Sequence, residues 1–312
     1  MRFALSTSRR IYKKRTLGCA GLVLLVLAGC ATLAPYDEGD LDDAVVAALP
    51  VEKAAYVYLS VPGAVEFLDV FAPYFGVDSG NMESALAGFR SIYAVLEKPV
   101  ADTAGWMGIG IGNIPVGAFA GSLNVNRDWK RICGEGRRWI SADGELEIAL
   151  PGRQIAVVGT RNIEPVLQRL ASRDQTPIKP NPDTPAGTFL KLLSENPGTG
   201  FAVYIREASD FLPLDLPPAV LNGLAASLTG DFNGDSIVAR LRMSLPSAAK
   251  AKVAGVLVKA LVIAEKKKDE TRAFDRAGVT VSENIVSVGP FEVSAKDIIG
   301  FLERMPANTG GR

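Results

Sequence analysis

The stretch "YVYLSVPGAVEFL", residues 56–68, and its counterpart "AVYIREASDFL", residues 202–212, decide how this chain is organised. Tyr56-Val57-Tyr58-Leu59 resembles Ala202-Val203-Tyr204-Ile205, and "AVEFL" resembles "ASDFL". Each reads as a β-rich strand that passes into a helix. A second match closes the same two segments. "TRNIEPVLQRL" (160–170) aligns in register with "AKDIIGFLERM" (295–305), placing Asn162 with Asp297, Ile163 with Ile298, Leu167 with Leu302 and Arg169 with Arg304. Asn162 and Asp297 stand at N-cap positions, with apolar residues following at helical spacing. Two half-chains that open and close alike imply an internal duplication.

Between them lies "RDQTPIKPNPDTPAG", residues 173–187, with prolines at 177, 180, 182 and 185. Proline at that density cannot continue a helix or an interior strand, so the segment reads as an extended linker. The first half offers strands at "SIYAVLE", "AGWMGIGIG" and "VGAFAGSLNV", a short helix near "RDWKRIC", a hairpin at "WISADGELEIAL" and a strand at "QIAVVG". The second offers a hairpin with Asn233-Gly234 at its turn, a helix from Ser247 to Glu270 and a hairpin turning at Glu283-Asn284. The fold class is α+β: two similar halves, each a mostly antiparallel sheet with helices packed on one face. The expected boundaries are 51–172 for the first repeat and 188–312 for the second.

Composition restricts the functional classes. An apolar fraction of 48% supports a packed core. Six of the 34 basic residues (Arg2, Arg9, Arg10, Lys13, Lys14, Arg15) precede residue 16, and no acid precedes residue 30. The remainder is therefore acidic, which argues against a nucleic-acid partner. There is no histidine, so imidazole general bases and imidazole metal sites are excluded by inventory. Three cysteines, Cys19, Cys30 and Cys133, fit no zinc pattern and no disulfide framework. No cofactor or metal is expected.

The basic head of residues 1–16, the apolar run Leu17 to Leu27 and the small-residue exit form the three-part plan of an export signal. Eleven apolar residues reach only about half the hydrocarbon thickness of a bilayer. Leu27-Ala28-Gly29-Cys30 resembles the lipobox of bacterial lipoproteins. The resemblance implies removal of residues 1–29, a diacylglyceryl group on the Cys30 thiol, and acylation of the new N-terminus. It implies a membrane anchor through those acyl chains, and Ala31, where inner-membrane sorting places Asp, implies the outer membrane rather than the inner one. Ser8-Arg9-Arg10-Ile11-Tyr12-Lys13-Lys14 also resembles a twin-arginine export motif. Lys13 departs from that pattern, and the basic head of a general secretory signal accounts for the same residues. Residues 30–50 read as an acidic tether, with ordered structure from about Val51.

Among candidate sites, the strongest is "VAGVLVKALVIA", residues 253–264, flanked by Lys250, Lys252, Lys266, Lys267 and Lys268. Val253, Val256, Leu257, Ala260 and Leu261 follow helical spacing, and Val258, Val262 and Ile263 widen the apolar surface. The pattern predicts a helix buried on more than one side, as packing between the halves, or as an interfacial helix or one wall of a lipid-sized pocket. Asp231, Asn233 and Asp235 begin like a calcium loop, but Ser236 and Arg242 stand where glycine and glutamate are needed, so a hairpin turn is expected. Gly108, Gly110 and Gly112 fall on one strand face and admit a bulky neighbour such as Trp106. Arg127, Lys130, Arg131, Arg137 and Arg138 gather with Trp129 and Trp139 near Cys133, a pattern that fits either a solvated face or an acidic-headgroup site.

The functional expectation is a lipid-anchored envelope protein without enzymatic activity, acting as a binding or scaffolding module with a membrane, lipid or envelope-protein partner. The alternative is a carrier or sensor of a hydrophobic ligand held between the halves.

Overall fold

Val57 and Val203, corresponding residues of the two matched stretches, face each other at the centre of the molecule. They lie on β1 (Ala55–Ser60) and β8 (Phe201–Ile205), which pair antiparallel with Tyr56 opposite Tyr204 and Tyr58 opposite Ala202. The structure, a computed structural model, describes residues 38–50, 55–75, 83, 86–97, 105–132, 137–160, 163–171, 181–208, 222–268 and 274–304.

The other first-half strands are β2 (Phe89–Leu96), β3 (Trp106–Gly112), β4 (Trp129–Arg131), β5 (Arg138–Ser141), β6 (Glu147–Ala149) and β7 (Ile155–Gly159). Those of the second half are β9 (Ala225–Asn233), β10 (Ser236–Ser244), β11 (Gly278–Ser282) and β12 (Ile285–Ser294). They form one 12-stranded sheet in the order β11-β12-β10-β9-β8-β1-β2-β3-β7-β6-β5-β4. Every paired ladder is antiparallel. The halves therefore share a continuous sheet.

Seven α-helices are described: α1 (Glu38–Ala48), α2 (Val61–Asp69), α3 (Val116–Val125), α4 (Glu164–Ala171), α5 (Pro185–Glu195), α6 (Ala248–Lys268) and α7 (Ala295–Arg304). They cover both faces of the sheet rather than one. The face carrying Tyr56, Tyr93, Ile109, Val157 and Ala202 packs against α1, α4 and α5. On the opposite face, α2 and α3 pack with Phe89, Ile148 and Ala156, α6 packs with Met243, Val286 and Val288, and Ile298 of α7 joins Phe201 and Ala239. The cause is in the strands: β2 and β3 carry apolar or small residues on both sides, so both sides need a cover.

Several sequence expectations are corrected. The segment read as a tether contains helix α1, N-terminal of Val51, with Val45, Val46, Ala48 and Leu49 fully buried in the core. The acidic residues of α1 conceal that apolar stripe. The linker ends earlier than expected: the Gly187 amide donates to Thr184 Oγ1 at 3.1 Å and Pro185 takes the first helical position, so α5 starts inside it. "VGAFAGSLNV" is a helix and not a strand, since Val116, Phe119 and Leu123 are buried at helical spacing. The segment near "RDWKRIC" contributes strand β4, not a helix, with Trp129 buried opposite Ser141. Asp297 is not the N-cap of α7. Ser294 fills that role, its Oγ accepting from the Asp297 amide at 3.1 Å while Asp297 Oδ2 accepts from the Ser294 hydroxyl at 2.7 Å. Asn162 lies outside the described residues.

The β9–β10 loop is Gly234-Asp235, one residue later than read, with Gly234 at φ +60° as a tight hairpin start requires. The Glu283-Asn284 turn stands as read, between paired Ser282 and Ile285.

Candidate functional surfaces

Helix α6 carries the five residues singled out from sequence, and the structure turns them outward. Ala251, Ala254, Val258 and Val262 are buried against the sheet, with Gly255 between them. A methyl group at Gly255 would collide with the Val281 side chain, so the helix sits too close to β11 for anything larger. A second apolar stripe faces away. Val256 is 70% exposed, Val253 53% and Leu261 45%, Ala260 is exposed and Leu257 half-buried. The helix is thus buried on one side only, contrary to the sequence expectation. It packs on β11 and β12, at the opposite end of the second half from the β1–β8 junction.

Lys252, Lys259 and Lys266 recur every seven residues and so line one border of that outer face. Lys252 and Lys259 are exposed, whereas the Lys266 ammonium donates to the carbonyls of Asp275 and Ala277, both at 3.0 Å. Among the described residues no helix is long and apolar enough to cross a membrane. The anchor residues Leu27, Ala28, Gly29 and Cys30 lie outside the described residues, as does Cys133.

Of the basic and aromatic cluster around Trp129 and Trp139, Arg138 and the two tryptophans are buried, whereas Arg127, Lys130, Arg131 and Arg137 are exposed. Arg138 is buried and forms ion pairs of 2.7 Å with both Glu147 and Glu164. Trp139 is fully buried and donates to Asn124 Oδ1 at 2.9 Å. Arg138 thus ties β5 to β6 and α4, and Trp139 ties β5 to α3. The bulky neighbour of Gly110 is Phe89, whose ring fills the space of a Cβ, while Trp106 lies nearer Gly108. In the hairpin, Asp231 Oδ1 accepts from the Gly200 amide at 2.9 Å.

A second polar network joins α1 to β2. Asp42 accepts from Arg90 at 2.7 Å, Tyr93 at 3.0 Å and Ser91 at 3.3 Å. Burial, then the neighbouring Asp42 charge, pushes the Tyr93 hydroxyl far above the ordinary tyrosine range, and Tyr58 moves the same way for the same reasons.

Two residues that the sequence reading did not single out as a site, Arg242 having been noted there only as a departure from a calcium loop, also stand out. Arg240 and Arg242 alternate with Leu241 on β10 and therefore share the sheet face opposite α6. They border an open trough of about 240 Å³. The i, i+2 spacing of two arginines in an otherwise alternating strand was the available signal.

No protein-family model matches the chain, and no curated protein matches it. Solved structures do. The chain is similar in fold to TP0453. Crystal form III of TP0453 superposes with a TM-score of 0.58 at 14% identity, covering 88% of this chain and all of that one. Crystal form I gives a TM-score of 0.56 at 14% identity, covering 82% of this chain and 95% of TP0453. The coverage includes both halves of the sheet, so the likeness to TP0453 is one of whole architecture.

Proposed function

We propose that this protein is a lipid-anchored component of a bacterial cell envelope, non-enzymatic, whose folded body lies against a membrane surface through the outer face of α6. The observation that carries the reading is the inverted packing of that helix. Ala251, Ala254, Gly255, Val258 and Val262 meet the sheet, while Val253, Val256, Ala260 and Leu261, with half-buried Leu257 among them, form an apolar face toward solvent. An apolar helical face bordered by lysines fits the interfacial zone of a bilayer, with aliphatic stems along the apolar layer and ammonium groups at phosphate level. Each lysine near an anionic surface adds about 1 kcal/mol.

The sequence supports the anchor. Leu27-Ala28-Gly29-Cys30 places acyl chains at Cys30, and Ala31 favours the outer membrane. Seven residues, 31–37, lie between Cys30 and Glu38, where α1 begins, and the eight steps reach at most about 28 Å. A second reading, a hydrophobic ligand held between the halves with α6 as its wall, loses its geometry. β1 and β8 are hydrogen-bonded across that junction, and α6 lies elsewhere.

We also infer that the halves arose by duplication. From the centre outward both read three consecutive strands and then the last strand of the half (β1-β2-β3-β7 and β8-β9-β10-β12), with α3 and α6 after the third strand and α4 and α7 at the ends; beyond these the first half adds β6, β5 and β4 and the second adds β11. The Val57–Val203 pair, matched in sequence and opposed in the ladder, lies where a pseudo-twofold axis would pass.

Flotation tests the membrane reading, using residues 31–312 with vesicles of phosphatidylglycerol or of phosphatidylcholine. The protein should float with the anionic vesicles, and V253E/V256E should remain at the bottom with an unchanged melting curve. Equal flotation of the variant, or a wild-type protein that ignores both vesicles, would remove α6 from the membrane. Mass spectrometry of the mature protein tests the anchor: acyl chains on Cys30, absent in Cys30→Ala.

A further inference from the structure

The sheet face opposite α6 differs from the corresponding face of the first half. There, α1, α4 and α5 bury it. In the second half, among the described residues, the end of α5, through Leu192 and Asn196, borders a trough of about 240 Å³. Strand register fixes what lies on its floor. Ser227, Arg242, Ser287 and Thr280 form one row across β9, β10, β12 and β11, and Thr229 with Arg240 begins the next. Gly278 and Gly289, paired with each other, leave that second row open.

A polar sheet face is ordinarily a solvated one. This one differs in its charge. Two arginines two residues apart on one strand, a backbone spacing of about 6.7 Å, line the concavity, and no carboxylate is among its described lining residues. Arg240 has no ion pair among the described residues, and Arg242 makes one long ion pair, to Glu195 at 3.9 Å. Planar guanidinium forks match phosphate oxygens, and a hydroxyl row supplies donors and acceptors to a polyol.

We infer that this trough binds a phosphate ester carried on a polyol, with Arg240 and Arg242 on the phosphate and Ser227, Ser287 and Thr280 on the adjoining hydroxyls. The chemistry belongs equally to a soluble sugar phosphate and to a phospholipid headgroup. If the body lies on a membrane through α6, as proposed above, the trough points away from that membrane, which favours the soluble source. The binding itself does not depend on that reading.

Calorimetry on the full lipidated chain in neutral detergent tests it, with glycerol 1-phosphate, dihexanoyl phosphatidylglycerol and glycerol as probes. A phosphate probe should bind and glycerol should not. R240Q/R242Q should weaken binding about tenfold or more, and R240K/R242K, which keeps the charge but loses the fork, should also weaken it. V253E/V256E should bind as wild type, so failure of the membrane reading leaves this result intact. Glycerol 1-phosphate bound in preference to the lipid identifies a soluble source, and the reverse a headgroup. No binding of either phosphate, or unaltered affinity in both arginine variants, overturns the inference. Should R240Q/R242Q unfold, Ser287→Ala with Thr280→Val carries the same test on the hydroxyl row.

Discussion

Gly110 owes its identity to one ring. Phe89 reaches across from β2 and occupies the place of a side chain on β3, at a bulge where the ladder shifts between Phe89 and Ser91. Gly110→Ala should therefore cost about 1–3 kcal/mol through overpacking, and Phe89→Leu should recover part of it in the double variant. Urea denaturation of the four proteins in that cycle measures the coupling. Tyr93 makes a different prediction, in pH. Its pKa is raised in the folded protein above the usual 10.0 by burial and by Asp42. A raised folded pKa contributes stability that is complete below the unfolded value and declines as pH rises past it. Stability should fall from about pH 10 upward, and Tyr93→Phe should flatten that fall in alkaline melting curves. Asp42→Asn should cost about 1–3 kcal/mol at neutral pH, since Arg90 loses its charged acceptor.

Elements show where sequence was sufficient and where it was not. Hairpins were legible because turn chemistry is local: Gly234 and the Glu283-Asn284 pair mark their loops without help from the rest of the chain. The strands around Tyr56 and Val203 were legible from alternation. Helix α3 was not, because small and apolar residues surround it and leave no polar face to set a period. Helix α1 was hidden for the opposite reason, its acids outweighing Val45, Val46 and Leu49. In α6 the apolar residues were identified, but which stripe meets the sheet was not. Two stripes compete there, and the choice depends on Gly255 approaching Val281, a contact that no spacing reveals. The Arg240 and Arg242 trough required the whole sheet, since its residues come from four strands. The position of α1 predicts that a chain starting at Val51 will not unfold cooperatively. Four buried apolar side chains are worth about 1.5 kcal/mol or more apiece, a total comparable to the net stability of a domain. Near-ultraviolet circular dichroism during thermal melting checks it.

At the scale of the molecule, the central ladder makes the halves mutually dependent. Separated at the linker, residues 38–171 and 181–304 would each present a freshly exposed inner strand, β1 or β8, with Tyr56 and Ala202 uncovered. Each half alone should self-associate, and the two expressed together should recover a one-to-one complex on size-exclusion chromatography with light scattering. A complex that fails to form would mean that the ladder alone cannot join them.

The outer margins of the same sheet are unequal. On one side β4 offers three residues, with exposed Lys130 and Arg131. On the other, β11 runs for five, carries no charged side chain, and among the described residues has no strand beyond it. Strands that recruit copies of themselves build fibres only when both margins accept a newcomer. The cationic margin opposes β4-to-β4 pairing and the neutral one leaves β11-to-β11 pairing unopposed. If the body is held on a membrane surface as proposed, strand addition between crowded neighbours would favour closed pairs over open-ended chains.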